Sequence, residues 1–239
     1  IQEVGMIPKV RLIFACVLII TEEKKLCYVL YVMDIIKYIE KGLGSFDIQC
    51  DKDTVKKLCY YIEELDRWNR HINLTGIKDI HSIVEILLYD AFFLFKNIKD
   101  RKTILDMGSG NGILSITISI LNKSRDFTNI FSVDKRIKKI QFQRHIKRML
   151  HLSNLTTIHK RIEMLEPMGV DTLLAKGFGT TEDILRYGGN HLTKEGLAFI
   201  LKGSNEIPHV IEGFCLKKDE CYALPDGNRM YRLFVYQKS

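Results

Sequence analysis

A carboxylate and three glycines on alternate positions stand near the middle of the chain. Residues 104–113 read ILDMGSGNGI, an apolar run followed by Asp106, Gly108, Gly110 and Gly112. Glycines at this spacing let the backbone turn sharply and let a ligand approach the main chain without a Cβ in the way. The third glycine comes one residue too early for the dinucleotide motif G-x-G-x-x-G, in which a helix N-terminus meets a diphosphate. The spacing therefore favours S-adenosylmethionine, which has no diphosphate, over NAD, although glycine-rich turns also occur where a strand and a helix only pack tightly.

A second acidic residue ends the next apolar run. Residues 129–133 read NIFSV and lead into Asp134, a little over twenty residues beyond the glycines. In nucleotide-binding folds, an acidic residue at the end of the second strand accepts hydrogen bonds from ribose hydroxyls. Strand, glycine turn, helix (114–121), strand and acid form a βαβ unit, which indicates a parallel sheet. Two alternatives stay open: Asp134 caps the helix ahead of Lys135, or Asp106 only forms a turn.

Composition limits the class of protein. The 239 residues suffice for one large domain, or for one domain with a small appendage. A hydrophobic content of 46% and a charged content of 27% are typical of a soluble globular protein. The six cysteines form no C-x-x-C pair and no His/Cys ligand spacing, so we expect no metal site and reduced thiols in the cytoplasm. The net charge of +7 favours an anionic partner, with nucleic acid the first candidate.

The chain before the glycine loop is predicted to be helical. Residues 10–20 are strongly apolar but too short to span a bilayer. We predict that residues 1–32 are an apolar extension that is not native to the domain, with a secretory signal as the weaker alternative. Residues 33–98 are predicted to form an N-terminal helical cap. Its predicted helices are residues 34–41 before Gly42 and Gly44, a helix capped by Asp53 or Thr54 that runs to Trp68, and residues 80–95.

Residues 99–239 are predicted to form the ligand-binding domain. Beyond Asp134, its predicted elements are a helix over 137–150, strands over 156–159 and 172–175, a helix over 182–186, a strand over 197–201, and a hairpin of 221–224 and 230–236 around the turn 225–228. We therefore predict an open α/β sheet that is parallel except for a C-terminal hairpin.

The helix after Asp134 is strongly basic. Seven Lys and Arg residues lie between Lys135 and Arg148, and no acidic residue occurs from Lys135 through Arg161. This one helix carries as much positive charge as the net excess of the whole chain. Such a concentration favours contact with phosphates. The alternative is a solvated face whose basic side chains meet acidic residues elsewhere in the fold.

Six segments in the same order resemble the GidB/RsmG family, the bacterial small-subunit ribosomal RNA guanine-N7 methyltransferases. The resemblance begins near Met33 and covers the rest of the chain. The segments are WNRHINLT at 68–75, similar to the family's WN…NLT; the glycine loop at 106–112; Asp134 with Lys138 and Lys139; RIE at 161–163; KGFG at 176–179, in the position of S-R-A-x-A; and LKG at 201–203. The first of these is the most specific to the family.

The resemblance implies a fold, an activity and a methyl donor. The fold is a Rossmann-like class I S-adenosylmethionine methyltransferase sheet with an N-terminal helical cap. The activity is S-adenosylmethionine-dependent methylation of guanine N7 in 16S ribosomal RNA, either free or in the small ribosomal subunit. Because guanine N7 is an unprotonated acceptor, catalysis needs no general base and rests on positioning and exclusion of water. We expect a cytoplasmic monomer with no membrane partner.

The resemblance also assigns residues to these roles. The donor-binding residues that it implies are Asp106, Gly108, Gly110, Gly112, Ile113, Asp134, Ile162, Glu163 and Lys176. Within this set, Asp134 holds the ribose, Ile162 and Glu163 border the adenine, and Lys176 faces the methionine end. The residues expected to bind the RNA backbone are Lys138, Lys139, Arg144, Lys147 and Arg148. Asn73 and Thr75 are candidates for lining the mouth of the base pocket.

The chain departs from the family pattern at three places. Residues 113–115 read ILS where the family has Gly-x-Pro-Gly, and Leu87 replaces a histidine while Asp90 remains. Lys176 replaces an arginine and lacks its planar, bidentate fork of donors. Two other hypotheses therefore stay open. The chain is either a non-catalytic RNA-binding descendant of the family, or a methyltransferase that acts on another class of substrate.

Overall fold

A seven-stranded sheet forms the centre of the protein. The computed structural model describes residues 22–98, 102–122, 129–225 and 229–239. The strand order is β3-β2-β1-β4-β5-β7-β6, and the strands are β1 (Thr103–Met107), β2 (Asn129–Asp134), β3 (Leu155–His159), β4 (Val170–Lys176), β5 (Leu192–Gly203), β6 (Phe214–Ala223) and β7 (Met230–Lys238). Strands β1 to β5 are parallel, and β7 pairs antiparallel with both β5 and β6. The predicted sheet is confirmed, whereas the predicted turn residues 226–228 lie outside the described residues.

Helices precede the sheet and cover both of its faces. Those before β1 are α1 (Glu22–Ser45), α2 (Lys52–Ile72), α3 (Ile80–Ser82), a π-helical segment (Ile83–Leu88) and α4 (Tyr89–Asn97). Those within the sheet domain are α5 (Ile113–Leu121), α6 (Ile137–Leu150) and α7 (Thr181–Gly188). Across the described ranges, no helix has the length and apolar character that crossing a bilayer requires.

Helix α1 is longer than the short helix that the sequence predicts before the two glycines. It continues through Gly42 and Gly44, and the boundary predicted after residue 32 lies within it, while residues 1–21 are outside the described part of the chain. A Cβ at Gly42 would lie only 2.2 Å from the ring of Tyr89. Gly42 therefore allows close packing of α1 on α4, and the prediction that it ends the helix is wrong.

Helix α2 begins earlier than predicted. The N-cap is Asp51, whose carboxylate accepts a hydrogen bond from the Thr54 backbone N–H at 2.7 Å. The predicted caps, Asp53 and Thr54, are wrong because both residues already lie in the first helical turn, where the charge of Asp53 favours the helix dipole. The predicted apolar face is confirmed, because its members are all buried: Val55, Leu58, Ile62 and Leu65.

Alternate side chains of the strands face two separate cores. One core joins the sheet to α1–α6 and includes Ile104, Ile130 and Leu174. The other core joins the sheet to α7 and includes Leu105, Val133 and Leu173. This alternation follows from the period of two in a strand. Helix α5 is buried over its whole length beneath α2 and α4, which explains why its sequence is apolar on every side.

Candidate active site

The glycine loop joins β1 to α5. Gly108, Gly110 and Gly112 have φ angles of +64°, +61° and +82°, in the left-handed region that side chains rarely adopt. A Cβ at Gly108 would lie 2.4 Å from the ring of Phe178, so that no side chain fits where the two segments meet. At Gly112, a Cβ would lie 2.7 Å from Ile116 within the following helix. Tight strand–helix packing therefore accounts for Gly112, whereas Gly108 faces the segment after β4.

Asp134 ties the glycine loop to the start of α6. Its Oδ2 accepts a hydrogen bond from the Gly110 N–H at 2.9 Å, and its Oδ1 accepts one from the Arg136 N–H at 2.7 Å. Arg136 is the N-cap residue of α6, so the local bond expected from the capping alternative is present. A carboxylate has about four acceptor sites, so Asp134 keeps acceptor capacity for a ligand beside these two bonds.

Asp106 lies beneath the loop and is fully buried. Its Oδ2 accepts a hydrogen bond from the Ser115 N–H at 3.1 Å in the first turn of α5. Burial raises the pKa of Asp106 to about 7; the bonds from Ser115 lower it, and the charge of Asp134 adds a further increase. Asp106 therefore anchors α5 and is not part of the surface that a ligand meets. Ser115, one of the departures from the family pattern, supplies this anchor.

Gln143 is a loop-supporting residue that the sequence analysis missed. This side chain is fully buried, and its Nε2 donates to the Ser109 hydroxyl and to the Gly110 carbonyl, each at 2.8 Å. Its Oε1 accepts from the Ser132 hydroxyl at 2.7 Å. The signal was present in the sequence, since Gln143 is a polar residue on the apolar face of α6 between Ile140 and Ile146.

A cavity of about 460 Å³ opens at the carboxyl edge of the parallel strands. This is the edge at which ligands bind in open α/β sheets. Its lining comes from the ends of β1, β2 and β4 and from the segment after β3, and comprises Gly108, Val133, Asp134, Lys135, Arg136, Lys139, Lys160, Arg161, Ile162, Glu163, Gly177, Phe178 and Gly179. Of the implied donor-binding residues, the cavity brings together Gly108, Asp134, Ile162 and Glu163. The others lie behind the loop or beside the cavity: Asp106, Gly110, Gly112, Ile113 and Lys176.

Lys139 belongs to this cavity more than to the outer surface of α6. Its side chain is half-buried, and its Nζ lies 3.4 Å from the position that a Cβ at Gly110 would take. Burial lowers the pKa of Lys139, and the neighbouring Asp134 carboxylate opposes that effect. The expected RNA contact at Lys139 therefore becomes a residue that borders the ligand cavity.

The other basic residues of α6 lie on its outer surface. Lys138, Arg144 and Arg148 are exposed, and Lys147 is half-buried. The last three line a shallow surface cavity of about 590 Å³ at the end of the helix, together with His151, Leu152, Ser153 and Thr157. Among the described residues, the ion pair that α6 makes is that of His145 with Glu64 on α2. The described carboxylates thus leave the outer basic side chains unpaired, which favours an anionic partner over the solvated-face alternative.

The Trp68–Thr75 segment closes the end of α2. Trp68 packs on Phe142 with ring centroids 5.5 Å apart, so it joins α2 to α6. Asn69 accepts from the Thr75 N–H and donates to the Ile77 carbonyl, both at 2.8 Å. Asn69 was not singled out from the sequence as a structural residue, although it stands in the same motif.

The two candidates for the base-pocket mouth lie outside the cavity lining. Asn73 is the exposed C-cap of α2 in the left-handed conformation, with φ of +51°. The Thr75 hydroxyl accepts a hydrogen bond from the Ile77 N–H at 3.3 Å. Both residues are thus explained by the loop itself, and a role toward a base stays a prediction.

Lys176, the last residue of β4, turns its ammonium toward the helical cap. The ammonium donates to the Asp90 carboxylate in a short hydrogen bond and to the Ile86 carbonyl at 3.3 Å. Asp90 is fully buried on α4, and its second oxygen accepts from the Tyr222 hydroxyl at 2.8 Å. Ile86 lies in the π-helical segment, a type of helix that is frequent at functional sites. The direction that the resemblance implies, toward a methionine end in the cavity, is not the one seen here.

Comparisons with known proteins agree with this geometry. The family model GidB, described as rRNA small subunit methyltransferase G, matches residues 54–212. Ribosomal RNA small subunit methyltransferase G of Legionella pneumophila subsp. pneumophila is 29% identical over 194 residues, covering 80% of this chain and 90% of that protein. The protein of the same name from Francisella tularensis subsp. novicida is 30% identical over 193 residues, covering 77% and 92%.

Solved structures support the fold. The structure described as a SAM-dependent methyltransferase from Aquifex aeolicus superposes with a TM-score of 0.50 at 13% identity, covering 74% of this chain and 97% of that one. This likeness confirms the Rossmann-like class I methyltransferase fold. The family model and the relatives confirm the resemblance drawn from the six segments, and the chain belongs to the GidB family of small-subunit ribosomal RNA methyltransferases.

Proposed function

We propose that this chain transfers a methyl group from S-adenosylmethionine to N7 of a guanine in 16S ribosomal RNA. The observation that carries the proposal is the cavity at the carboxyl edge of the sheet, where the glycine loop, Asp134 and Ile162–Glu163 meet. Membership of the family supplies the class of acceptor. The proposal includes action as a monomer in the cytoplasm, where small-subunit RNA is met.

The cavity suits a donor of this kind. Its volume of about 460 Å³ lies in the range of small-molecule sites, roughly 300–1,000 Å³. The remaining acceptor sites of Asp134 bind ribose hydroxyls, and buried Ile162 offers an apolar surface to an adenine beside Glu163. At Gly108, the absent Cβ lets the donor approach the backbone.

The residues of the chain act in this reaction by positioning. When bound, S-adenosylmethionine supplies an electrophilic methyl group: the lone pair of guanine N7 forms the new N–C bond, and the electrons of the broken C–S bond return to sulfur. No proton moves before the attack, so the site needs no general base. Asp134 and Gln143 fix the Gly110 peptide from its N–H and its carbonyl respectively, which holds the loop in one geometry. Such fixed geometry is the main source of rate in a two-substrate transfer.

The basic surfaces would bind the RNA backbone. Four cations line the mouth of the cavity: Lys135, Arg136, Lys160 and Arg161. Lys138, Arg144, Lys147 and Arg148 extend the positive surface along α6. The target guanine has to leave its stack to reach the donor. We place Asn73 and Thr75 beside its route into the site, and this role is a proposal.

Titration of the donor tests the proposal first. Isothermal calorimetry of the full chain with S-adenosylmethionine should detect binding, and Asp134→Asn should weaken it roughly tenfold because one charge-assisted hydrogen bond is removed. Glu212→Gln, an exposed carboxylate remote from the cavity, is the matched control and should bind as the wild type does.

The acceptor is then identified by incubating the enzyme with small ribosomal subunits and with their free RNA, followed by mass spectrometry of the digested RNA. Absence of donor binding would favour the non-catalytic descendant. Donor binding without a new N7-methylguanine in the RNA would favour another substrate.

A further inference from the structure

The two ends of the cavity differ in the strands that form them. Asp134 and Ile162–Glu163 lie at the ends of β2 and β3, whereas Gly108 and Gly177 lie at the ends of β1 and β4. In the proposed function, on which this inference rests, the ribose lies on Asp134. The methyl group to be transferred then lies toward β4, and the acceptor base reaches it from the same side.

Lys176 stands at that end, as the last residue of β4 and the neighbour of Gly177. An ammonium has three N–H donors. Two of them are used, by the Asp90 carboxylate and by the Ile86 carbonyl. No other described residue accepts a hydrogen bond from this ammonium. The Lys176 side chain is 23% exposed, so an acceptor from outside the protein can reach the third N–H.

The charge of Lys176 is balanced by a fully buried partner. Asp90 receives the ammonium on one oxygen and the Tyr222 hydroxyl on the other, at 2.8 Å. Burial and the Asp90 carboxylate raise the pKa of Tyr222 far above its usual range, so the phenol remains a donor at every physiological pH. The result is a directional N–H donor in a pair that carries no net charge.

We propose that Lys176 donates this N–H to O6 of the target guanine and so selects guanine over adenine, with Asp90 and Tyr222 as its positioning residues. The Hoogsteen edge of guanine presents two acceptors, N7 and O6, whereas adenine carries an amino group in place of O6. Because N7 must keep its lone pair free for the methyl group, O6 is the acceptor on that edge that a protein donor can use. An ammonium facing the adenine amino group would meet another donor, which disfavours adenine.

Asp90 matters because methylation makes the guanine ring cationic. An unpaired ammonium next to that ring would oppose the developing charge, and the paired carboxylate offsets this repulsion. The same pairing explains how lysine can stand where arginine is usual in the family. Lysine has fewer donors than arginine, but it has the one that this contact requires.

The test uses the RNA segment that the wild-type enzyme methylates, prepared with guanine or with 2-aminopurine at the target. 2-Aminopurine has a hydrogen in place of O6 and retains N7. In single-turnover assays, the wild type should methylate the guanine RNA on the order of tenfold faster than the 2-aminopurine RNA, beyond the ratio shown by Lys176→Met. Lys176→Arg should restore the wild-type ratio, and Lys176→Met should bind S-adenosylmethionine with unchanged affinity.

Tyr222→Phe keeps this core aromatic and removes only the bond to Asp90, so it separates positioning from folding. It should reduce the guanine preference several-fold while donor affinity and thermal stability change little. Equal wild-type rates on the two RNAs would overturn the inference and leave the proposed function intact. Weaker donor binding by Lys176→Met at an unchanged base ratio would also overturn it, by assigning Lys176 to the donor. If the wild type methylates no guanine at all, the proposed function itself fails.

Discussion

Gln143 and Gly110 are joined by a hydrogen bond of 2.8 Å that links the buried face of the basic helix α6 to the glycine loop. Through this bond, a helix whose outer face carries the chain's densest positive charge also sets the shape of the donor site. The same Gly110 peptide is held on its other side by Asp134. The RNA-facing and donor-facing parts of the protein therefore share one structural element.

Replacing Gln143 should loosen the loop. Gln143→Leu removes two bonds to the loop and one to Ser132 at a fully buried position. Leaving buried polar partners unpaired costs about 1–3 kcal/mol each, so we expect unfolding free energy to fall by a few kcal/mol and donor affinity to fall on the order of tenfold. Urea unfolding and calorimetry measure the two effects. Gln141→Leu, at an exposed position on the same helix, should change neither quantity, and equal behaviour of the two variants would contradict the loop-supporting role.

Adding a single methyl group to the loop should block donor binding. At Gly110, φ is +61°, and a Cβ would lie 3.4 Å from the Nζ of Lys139. Gly110→Ala is therefore expected to cost about 1 kcal/mol of stability through backbone strain and to abolish detectable donor binding while the far-ultraviolet circular dichroism stays unchanged. Gly44→Ala, at a position in α1 where a Cβ meets nothing within 4 Å, should leave stability equal or slightly higher. Normal donor binding by Gly110→Ala would remove the loop from the donor site.

Asp106 should make the protein less stable as the pH rises. Its pKa is about 7 in the folded chain and near 3.8 in an unfolded one, so between these values the folded state holds a proton that the unfolded state has released. The stabilisation is fully present below about pH 4 and is lost as pH rises through 7. Three pKa units correspond to about 4 kcal/mol at most. Urea unfolding of the wild type and Asp106→Asn from pH 5 to pH 8 measures it, and parallel curves for the two proteins would contradict the assignment.

The outer basic surface and Lys139 should separate in their effects. Replacing Lys138, Arg144 and Arg148 by glutamine should weaken RNA binding and lower its salt dependence by about 0.7 in the log–log slope for each phosphate that the variant no longer binds, the value for single strands. Donor affinity should not change. Lys139→Gln should instead alter donor binding, because its Nζ lies beside Gly110. Lys217→Gln, exposed on the edge strand β6, is the charge control; an unchanged salt slope in the triple variant would make the outer face of α6 a solvated surface with no RNA partner.

The local pattern of the sequence was sufficient to predict the sheet and the loop. Alternating or apolar runs ending in Asp106 and Asp134, with glycines between them, determine a βαβ unit because the geometry is set within about thirty residues. The end of α1 was predicted wrongly because Gly42 serves a contact with Tyr89, almost fifty residues away. Propensity describes the residue and its near neighbours, whereas that contact depends on how two helices cross.

The candidate site was predictable only where its residues meet the ligand through local geometry. Gly108, Asp134 and Ile162–Glu163 follow strand ends and therefore converge at one edge. The bonds of Lys176 to Asp90 and of Gln143 to the loop join residues that lie dozens of positions apart. No spacing rule encodes such pairings, since they depend on the orientation of the cap and of α6 over the sheet.

The Trp68–Thr75 segment should divide into residues that hold the loop and residues that meet the RNA. Asn69 makes two 2.8 Å bonds to the loop backbone, so Asn69→Ala should lower the free energy of unfolding by about 2 kcal/mol. At temperatures well below its Tm, that variant should keep its kcat and its donor affinity. Asn73 is exposed, and Asn73→Gly retains the left-handed backbone while removing the side chain. If Asn73 contacts the RNA, Asn73→Gly should raise KM for RNA with stability unchanged, the opposite pattern to Asn69→Ala. Steady-state methylation and urea unfolding of both variants give the comparison, and normal kinetics for Asn73→Gly would assign the whole segment to folding, because its only remaining contribution would then be the loop that ends α2.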